Sequence, residues 1–169
     1  ENRDLMDDQM VMGDLMAITL MELRGFKSND FAKFHPGGNL GKKLTLTTGA
    51  IAKQNTQPSV QPTTSIKEVI IAISKSRMGA TVVLDDAGNI VGIITDGDIR
   101  RMLEQHNSIQ ELKAADILHK EPITISSDTL AIEAFDLMKA HDISQLIVAD
   151  QGQYKGMIHM HDLMKEGIL

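Results

Sequence analysis

Apolar residues dominate the first part of the chain, ahead of two mixed stretches that resemble each other. Between residues 11 and 23 nearly every residue is apolar, and no polar face recurs at helical spacing. A helix that is apolar on all sides belongs in a protein interior, so we predict a buried helix that is stopped by Gly25. The residues before the repeats are too few to surround it. We expect either a fragment whose upstream domain is missing or a helix that packs into a dimer.

The residues that flank this helix are predicted to be less regular. Residues 1–10 are acidic, and we interpret them as a frayed leader or, alternatively, as a weak first helical turn. Ser28 has a side chain that caps helices, so a short helix is predicted through Phe34. The proline after His35 keeps His35 extended at the end of that helix.

Two repeats follow a linker. Residues 45–64 are rich in Thr, Gln, Ser and Pro and are predicted to form a linker that enters a short strand near residues 59 and 60. From residue 58 onward the chain matches itself without a gap. The offset is 64 residues, and the matched positions include Pro58 with Pro122, Gly92 with Gly156, and Asp98 with Asp162.

Each repeat is predicted to run strand, helix, strand, tight turn, strand, helix, which gives an α/β (α+β) fold. Apolar residues at helical spacing place helices at 65–77 and 129–140. The strands at 80–84 and 90–95 are β-branched and almost wholly apolar, so we expect both faces to be covered. A unit of about 55–60 residues is marginally stable alone. Two units around a pseudo-twofold axis would bury each other's sheets, with ligand crevices at the junction.

The last strand of each repeat ends in a short polar motif. It runs Gly-x-x-Thr-x-x-Asp from Gly92 to Asp98, and Gly-x-x-His-x-x-Asp from Gly156 to Asp162. Tandem units of this length with this ending resemble a CBS pair, also called a Bateman module. The resemblance implies an adenosine nucleotide as ligand. The aspartate would accept hydrogen bonds from the ribose hydroxyls, and the threonine would face the sugar or phosphate.

General physical chemistry supports such a site. A helix N-terminus presents free N–H groups and a positive dipole end to an anion, and a carboxylate one turn into the helix can take both ribose hydroxyls. The first repeat offers Thr95 and Asp98 for these roles, with Arg100 and the arginine after it for phosphate. The second offers His159 and Asp162. Because His159 replaces the threonine, we expect the better site in the first repeat.

Simpler interpretations of the same residues remain open. The aspartates can be helix-start carboxylates favoured by the dipole, the arginines can be a solvated face, and the pair can act only as a dimerisation platform. His159, His161 and Asp162 also suggest a metal, but His161 should already be entering a helix and no third ligand has a fixed spacing. We therefore predict no metal site.

A second resemblance covers the chain before the repeats. Residues 11–26 and the string Asp30-Phe31-Ala32-Lys33-Phe34-His35-Pro36-Gly37-Gly38, with Leu40-Gly41-Lys42-Lys43-Leu44 after it, look like the end of a sugar-isomerase (SIS) domain. They are similar to the D-arabinose 5-phosphate isomerases of lipopolysaccharide (Kdo) biosynthesis. In that family this ending leads directly into a CBS pair. The strings Thr95-Asp96-Gly97-Asp98-Ile99-Arg100-Arg101 and His159-Met160-His161-Asp162-Leu163 also match the family.

This resemblance implies an enzyme as parent. The full-length protein would interconvert D-arabinose 5-phosphate and D-ribulose 5-phosphate, with His35 in the active site and the other catalytic residues upstream. The chain alone is expected to be inactive. We divide it into an SIS remnant with linker at 1–47, a first CBS domain at 48–112 and a second at 113–169. A ligand-free dimerisation module and the CBS pair of another SIS-type isomerase or aldolase are the alternatives.

Charge and composition narrow the partners. The net charge of −6 argues against a nucleic-acid surface, but a local site for a small phosphorylated ligand stays open. We expect an adenosine or cytidine nucleotide, or a sugar nucleotide, as ligand, with no required cofactor. We also expect a homo-oligomer through the CBS pair, a dimer, or a tetramer in the full-length protein. The chain has no cysteine and no bilayer-length apolar run, so a cytoplasmic protein without membrane contact is predicted.

Overall fold

The computed structural model describes residues 2–26, 30, 38–106 and 108–168. They form two compact units, Glu1–Thr45 and Leu46–Leu169. The helices in the described residues are α1 (Asn2–Leu23), α2 (Asn39–Thr45), α3 (Thr48–Ala52), α4 (Ile66–Ser76), α5 (Asp96–Gln105), α6 (Ala114–Ile117), α7 (Ala131–Ala140) and α8 (Met160–Lys165). The strands are β1 (Ser59–Val60), β2 (Ala80–Leu84), β3 (Ile90–Thr95), β4 (Thr124–Ile125), β5 (Gln145–Asp150) and β6 (Gln153–His159).

Helix α1 of the first unit is longer than the sequence suggested. It begins at Asn2, so the interpretation of residues 1–10 as a frayed leader is wrong for the described part of that stretch. Acidic residues are generally favoured near a helix N-terminus, and the sequence of this stretch contains neither proline nor glycine. The expected stop at Gly25 is confirmed. Gly25 has a φ of 61°, and the N–H of Phe26 donates to the carbonyl of Met21 at 2.9 Å.

The apolar side chains of α1 are not buried in this chain, so the expectation of burial is wrong for the chain by itself. Between 47% and 79% of their surface is exposed in Met10, Val11, Met12, Leu15, Met16, Ile18, Leu20, Met21 and Leu23. Apolar residues cover every side of the helix, and one small unit cannot enclose it. A large exposed apolar surface of this kind marks an interaction site. None of the described helices has the length and apolar character that crossing a bilayer requires.

The expected linker at 45–64 is in part a packed helix, which corrects that prediction. In α3, Ile51 and Ala52 are buried in the core of the second repeat. The hydroxyl of Thr48 donates to the carbonyl of Ser126 at 2.6 Å, and Thr47 caps the helix by accepting from the N–H of Ala50. Contacts with the second repeat therefore stabilise the helical conformation of α3. The predicted strand is confirmed as β1.

The two repeats have the predicted order of elements. Each contains a three-stranded sheet, with strand orders β1-β2-β3 and β4-β5-β6. In each sheet the first pair of strands is parallel and the second pair is antiparallel. Strands β2 and β3 have the predicted bounds. Helices α4 and α7 lie within the predicted ranges, and Ser65 and Glu68 form a capping box at the start of α4.

The repeats are joined by packing around a pseudo-twofold relation. Residues of the first sheet, including Val82, share a core cluster with Ile147 and Met157 of the second. Asn89 and Gln153, which are equivalent by the 64-residue offset, pair with each other, and the amide of Gln153 donates to Asn89 at 3.1 Å. These contacts confirm the expectation that each repeat buries the other's sheet.

The short helix that precedes each repeat packs on the other repeat. Helix α3, before the first repeat, contacts β6 and joins the core of the second. Helix α6, before the second repeat, contributes Ala114 to the core of the first. Each core is therefore completed by a segment from the other side of the module.

The motif glycines permit this exchange. A Cβ on Gly92 would lie 2.6 Å from the carbonyl oxygen of His119, in the segment after α6. A Cβ on Gly156, whose φ is 141°, would lie 3.1 Å from the Cβ of Ala52. A side chain at either position would push away the segment that crosses over from the other repeat.

We expect the substitution Gly92→Ala to destabilise the fold by about 2 kcal/mol, because the added methyl group meets backbone and the cost of overpacking applies. The free energy of unfolding in urea, with the change in secondary structure as signal, measures the effect. Gly97→Ala is the matched control. Its Cβ would meet only side-chain atoms, the nearest at 3.4 Å on Arg101, and the change should be neutral or mildly stabilising. Equal stabilities for the two variants would contradict this explanation.

Candidate functional site

A cavity of about 220 Å³ opens where the first repeat meets the second. We call it the first crevice. It is formed by the end of β3, the start of α5, the segment before β4 and the start of β5. Its lining combines apolar and polar side chains, namely Ile93, Thr95, Asp98, Arg101, His119, Pro122, Ile123, Ile143 and Gln145. Both predicted motif residues of the first repeat, Thr95 and Asp98, therefore face one cavity.

Thr95 and Asp98 are held by the cap of helix α5. The carboxylate oxygen Oδ2 of Asp98 accepts from the backbone N–H of Thr95 at 2.8 Å and from its hydroxyl at 2.7 Å. The Thr95 hydroxyl oxygen also accepts from the N–H of Asp98 at 3.3 Å. This reciprocal cap fixes both side chains at the helix N-terminus. The helix-start role is thus real, and it leaves the second carboxylate oxygen, Oδ1, for other partners.

Arg101 pairs with the second oxygen of Asp98. Its guanidinium contacts Oδ1 of the carboxylate in an ion pair across one helical turn. The Arg101 side chain is 64% exposed, whereas that of Asp98 is 14% exposed. The predicted phosphate residue Arg100 is exposed and is not in the lining of the first crevice. Residues three apart on a helix share a face, so the arginine that accompanies Asp98 is Arg101.

The electrostatics of Asp98 reflect these contacts. Partial burial raises the pKa of its carboxyl group, but the hydrogen bonds from Thr95 and Arg101 and the charge of Arg101 outweigh the burial. The pKa of Asp98 is accordingly below its ordinary value of 3.8. At neutral pH the crevice presents an ionised acceptor next to a mostly exposed cation.

The second repeat builds a different arrangement at the equivalent place. His159 caps α8, and its Nδ1 accepts from the N–H of His161 at 3.0 Å. Oδ2 of Asp162 accepts from the N–H of His159 at 2.8 Å and from the side-chain amide of Asn55 at 2.7 Å. The amide of Asn55 also donates to the carbonyl of Met157 at 3.0 Å. A side chain from before the first repeat therefore already binds the aspartate of the second motif.

The two histidines of the second repeat lie side by side. The ring centroids of His159 and His161 are 4.6 Å apart. Burial lowers the pKa of His159, and the neighbouring His161 lowers it further, against the opposite effect of Asp162. Both histidines line a cavity of about 370 Å³ together with Arg77, Asp96 and Gln145, among others. In the part of the chain that the structure describes, no group of three or more His, Cys, Asp and Glu residues is placed to hold a metal.

Several candidate residues were not singled out from the sequence. His119 and Gln145 line the first crevice, and Asn55 contacts the second motif. Extending the repeat alignment three residues upstream of Pro58 would have matched Asn55 with His119 and so pointed to both. Gln145 carries no sequence signal, since it reaches the crevice only through the packing of the repeats. The predicted catalytic residue His35 lies outside the described residues, as does the helix expected before it apart from Asp30.

Comparison with protein families and curated proteins gives consistent results. A model of the CBS domain matches residues 53–105 and 114–168. The arabinose 5-phosphate isomerase KdsD of Yersinia pestis is 39% identical over 161 residues, which are 95% of this chain and 49% of that protein. The KdsD of Escherichia coli K12 is 38% identical over the same shares, and the uncharacterised protein RP505 of Rickettsia prowazekii is 40% identical over 93% of the chain and 49% of its own length. The chain spans about half the length of the curated relatives it matches.

Solved structures share the fold. A CBS-domain protein from Agrobacterium tumefaciens matches 71% of this chain and 92% of its own, with a TM-score of 0.63 and 20% identity. A CBS-domain protein from Pyrobaculum aerophilum, solved in complex with AMP, matches 70% of this chain and 90% of its own. Its TM-score is 0.63 and its identity 25%.

We expect Asp98→Asn to lower the free energy of unfolding by about 1 kcal/mol at pH 7, because the charged cap of α5 is lost. The pKa of Asp98 is depressed in the folded state, so its stabilising effect is complete above the ordinary value of 3.8 and is lost as the pH falls below it. The difference between the wild type and Asp98→Asn, measured by urea unfolding, should therefore shrink between pH 5 and pH 2.5.

The control is Asp96→Asn, which removes an exposed carboxylate from the same helical turn and should cost less at pH 7. A difference between the wild type and Asp98→Asn that stays constant over this pH range would show that the Asp98 cap does not depend on its charge.

Proposed function

We propose, on the premise that this chain belongs to the CBS-domain family, that its first crevice binds an adenosine nucleotide as a regulatory ligand. One observation carries the proposal: one cavity is lined both by apolar side chains and by Thr95, Asp98 and Arg101 at the start of a helix. The Pyrobaculum aerophilum protein, which has the same fold and is 25% identical in sequence over the matched part, was solved in complex with AMP, and this supports the choice of nucleotide. A cytidine nucleotide, free or in a sugar nucleotide, would contact the same polar groups through its ribose and phosphate and would differ from AMP in its base.

Each part of a nucleotide has a counterpart in the first crevice. The ribose hydroxyls would donate to Oδ1 of Asp98, which Arg101 now contacts. Arg101, released from Asp98, would then be free to bind a phosphate group together with the N-terminus of α5. The base would pack against the apolar side chains of Ile123 and Ile143.

The parent protein is the second part of the proposal. We place this chain in the C-terminal half of a D-arabinose 5-phosphate isomerase, since KdsD proteins match 95% of it at 38–39% identity. Aldose–ketose isomerisation moves a proton between adjacent carbons through an enediol, and a base near neutrality suits that step. His35 would take part in it. The boundaries 1–47, 48–112 and 113–169 and the cytoplasmic location expected from the sequence stay predictions.

An assembly role is the second candidate function. The exposed apolar surface of α1 favours it, because apolar side chains on all sides of a helix need a cover. Homo-oligomer formation and nucleotide sensing are compatible. A nucleotide that changes how the repeats pack would change the assembly of the oligomer.

We expect AMP to raise the melting temperature of the purified chain. Ligand at about 100 times its dissociation constant stabilises the folded state by about 2.7 kcal/mol. Asp98→Asn should remove the shift. Arg101→Gln should weaken AMP binding about tenfold or more through loss of a charged phosphate contact, while adenosine, which lacks phosphate, should bind as well as or better than to the wild type. Isothermal titration with AMP, ADP, ATP, CMP and adenosine measures these affinities.

Arg100→Gln is the matched control, because it removes the same charge one residue away from a side chain outside the crevice lining. It should leave AMP affinity within about twofold after correction for net charge. If AMP and adenosine respond alike to Arg101→Gln, Arg101 does not bind phosphate. If no nucleotide binds the wild type, the sensor proposal is wrong and the assembly role remains.

The chain alone is expected to have no isomerase activity, because a single histidine cannot both bind and deprotonate a phosphosugar. Conversion of D-arabinose 5-phosphate to D-ribulose 5-phosphate by the purified chain, followed by NMR, tests this. The full-length protein is the positive control, and there His35→Ala should reduce turnover at least about 100-fold. Turnover by the chain alone would contradict the assignment of the remaining catalytic groups to the missing half.

A further inference from the structure

The first crevice and the equivalent place in the second repeat, around His159 and Asp162, differ most in the residue that reaches the motif aspartate. In the second repeat this residue is Asn55, whose amide nitrogen donates to the carbonyl of Met157 at 3.0 Å and to Oδ2 of Asp162 at 2.7 Å. A side-chain amide nitrogen has two hydrogens, and both are engaged. Each partner is an acceptor only, so the orientation of the amide is fixed.

In the first repeat the equivalent hydrogen bond is made by backbone groups alone. By the 64-residue offset, Asn55 corresponds to His119 and Met157 to Ile93. The N–H of His119 donates to the carbonyl of Ile93 at 2.9 Å, and the N–H of Ile93 donates back at 3.0 Å. The side chain of His119 is then left to line the open crevice. In the second repeat the side-chain amide of Asn55 replaces this backbone N–H as the donor, and the same amide also donates to Asp162.

The aspartates also differ in how easily their present partners can leave. Arg101 lies on the same helix as Asp98 and is mostly exposed, so it can swing into solvent without moving any backbone. Asn55 is partly buried and is held from both sides in the sequence. Its own N–H donates to the carbonyl of Ala52 at 3.2 Å, and the hydroxyl of Thr56 donates to the carbonyl of Ser76 at 3.1 Å.

We propose that the Asn55 side chain fills the place beside Asp162 that corresponds to the first crevice, and that it thereby keeps ligands with a vicinal diol from reaching this aspartate. Each chain then binds one nucleotide, in the first crevice, and the part of this statement that concerns the first crevice rests on the proposed function. A ligand at Asp162 must displace a tethered group that is always present. Its apparent affinity is the intrinsic affinity multiplied by the small fraction of chains in which Asn55 has moved away. Displacement also strips Met157 of a hydrogen bond to its carbonyl.

The test uses a chain whose first crevice has been disabled. AMP is titrated calorimetrically into the wild type, Asp98→Asn, the double variant Asp98→Asn with Asn55→Ala, and a triple variant that adds Asp162→Asn. We expect one AMP per wild-type chain and weak or no binding to Asp98→Asn. The double variant should regain binding, with an affinity at least about tenfold above that of Asp98→Asn, and the triple variant should lose it again.

Gln54→Ala in the Asp98→Asn chain is the control. It removes the amide of an exposed neighbour of Asn55, and it should give no gain in binding. Asn55→Ser shortens the side chain but keeps it polar, so it serves in place of Asn55→Ala if the alanine variant does not fold. Two AMP molecules per wild-type chain, or a folded double variant without a gain, would overturn the proposal. If the wild type binds no AMP but the double variant does, the inference about Asn55 stands and the proposed function of the first crevice fails.

Discussion

The close approach of a crossing segment to the third strand of each repeat is the contact on which the rest of the module depends. At Gly92 the carbonyl of His119 occupies the space that a side chain would need, and at Gly156 the Cβ and then the carbonyl oxygen of Ala52 come close, at 3.1 and 3.3 Å. Helices α3 and α6 can complete the core of the opposite repeat only because of these two glycines. The first crevice lies next to one of these crossings, since His119 is part of its lining, so the packing and the candidate binding site share one cause.

The helix caps link this packing to chemistry. Thr95 and His159 each end a strand and start a helix, and an aspartate three residues on closes each cap. A carboxylate that is already fixed by its cap loses little further freedom when it binds a ligand. What distinguishes the two copies is the additional partner of each aspartate: a displaceable arginine on Oδ1 of Asp98 and an anchored asparagine on the cap oxygen Oδ2 of Asp162. Divergence after duplication thus acted on residues around the motif as well as within it.

Regular elements with strong periodicity were predictable from the sequence, because one residue pattern decides them. Strands β2 and β3 and helix α4 belong to this group, with the capping box of Ser65 and Glu68 as a local signal. The repeat offset then supplied the second half of the module. Helix α3 was not predictable, since its five residues form a helix only against the second repeat. The placement of α1 was wrong for a related reason: composition shows that a helix needs a cover but not whether the chain provides it.

The site was predictable only in part. Thr95 and Asp98 follow from the motif, but the choice between Arg100 and Arg101 depends on helical phase, and the three-residue spacing to Asp98 would have settled it. Asn55 carries no local signal, since its two partners are more than 100 residues away in the sequence. Such residues emerge when the internal alignment is extended past the repeated strands into segments that look like linkers.

The exchanged helices also constrain the order in which the molecule can fold. The contact between Asn55 and Met157 closes a loop of 102 residues, and the core around Ile51 and Ala52 includes residues from the far end of the chain. During synthesis α3 is made before the second repeat, on which it packs. Contacts of such long sequence separation form late and slowly, so the stretch before the first repeat stays exposed until the second repeat emerges. The pair is therefore one cooperative folding unit, and a cut between its repeats would leave each half without part of its core.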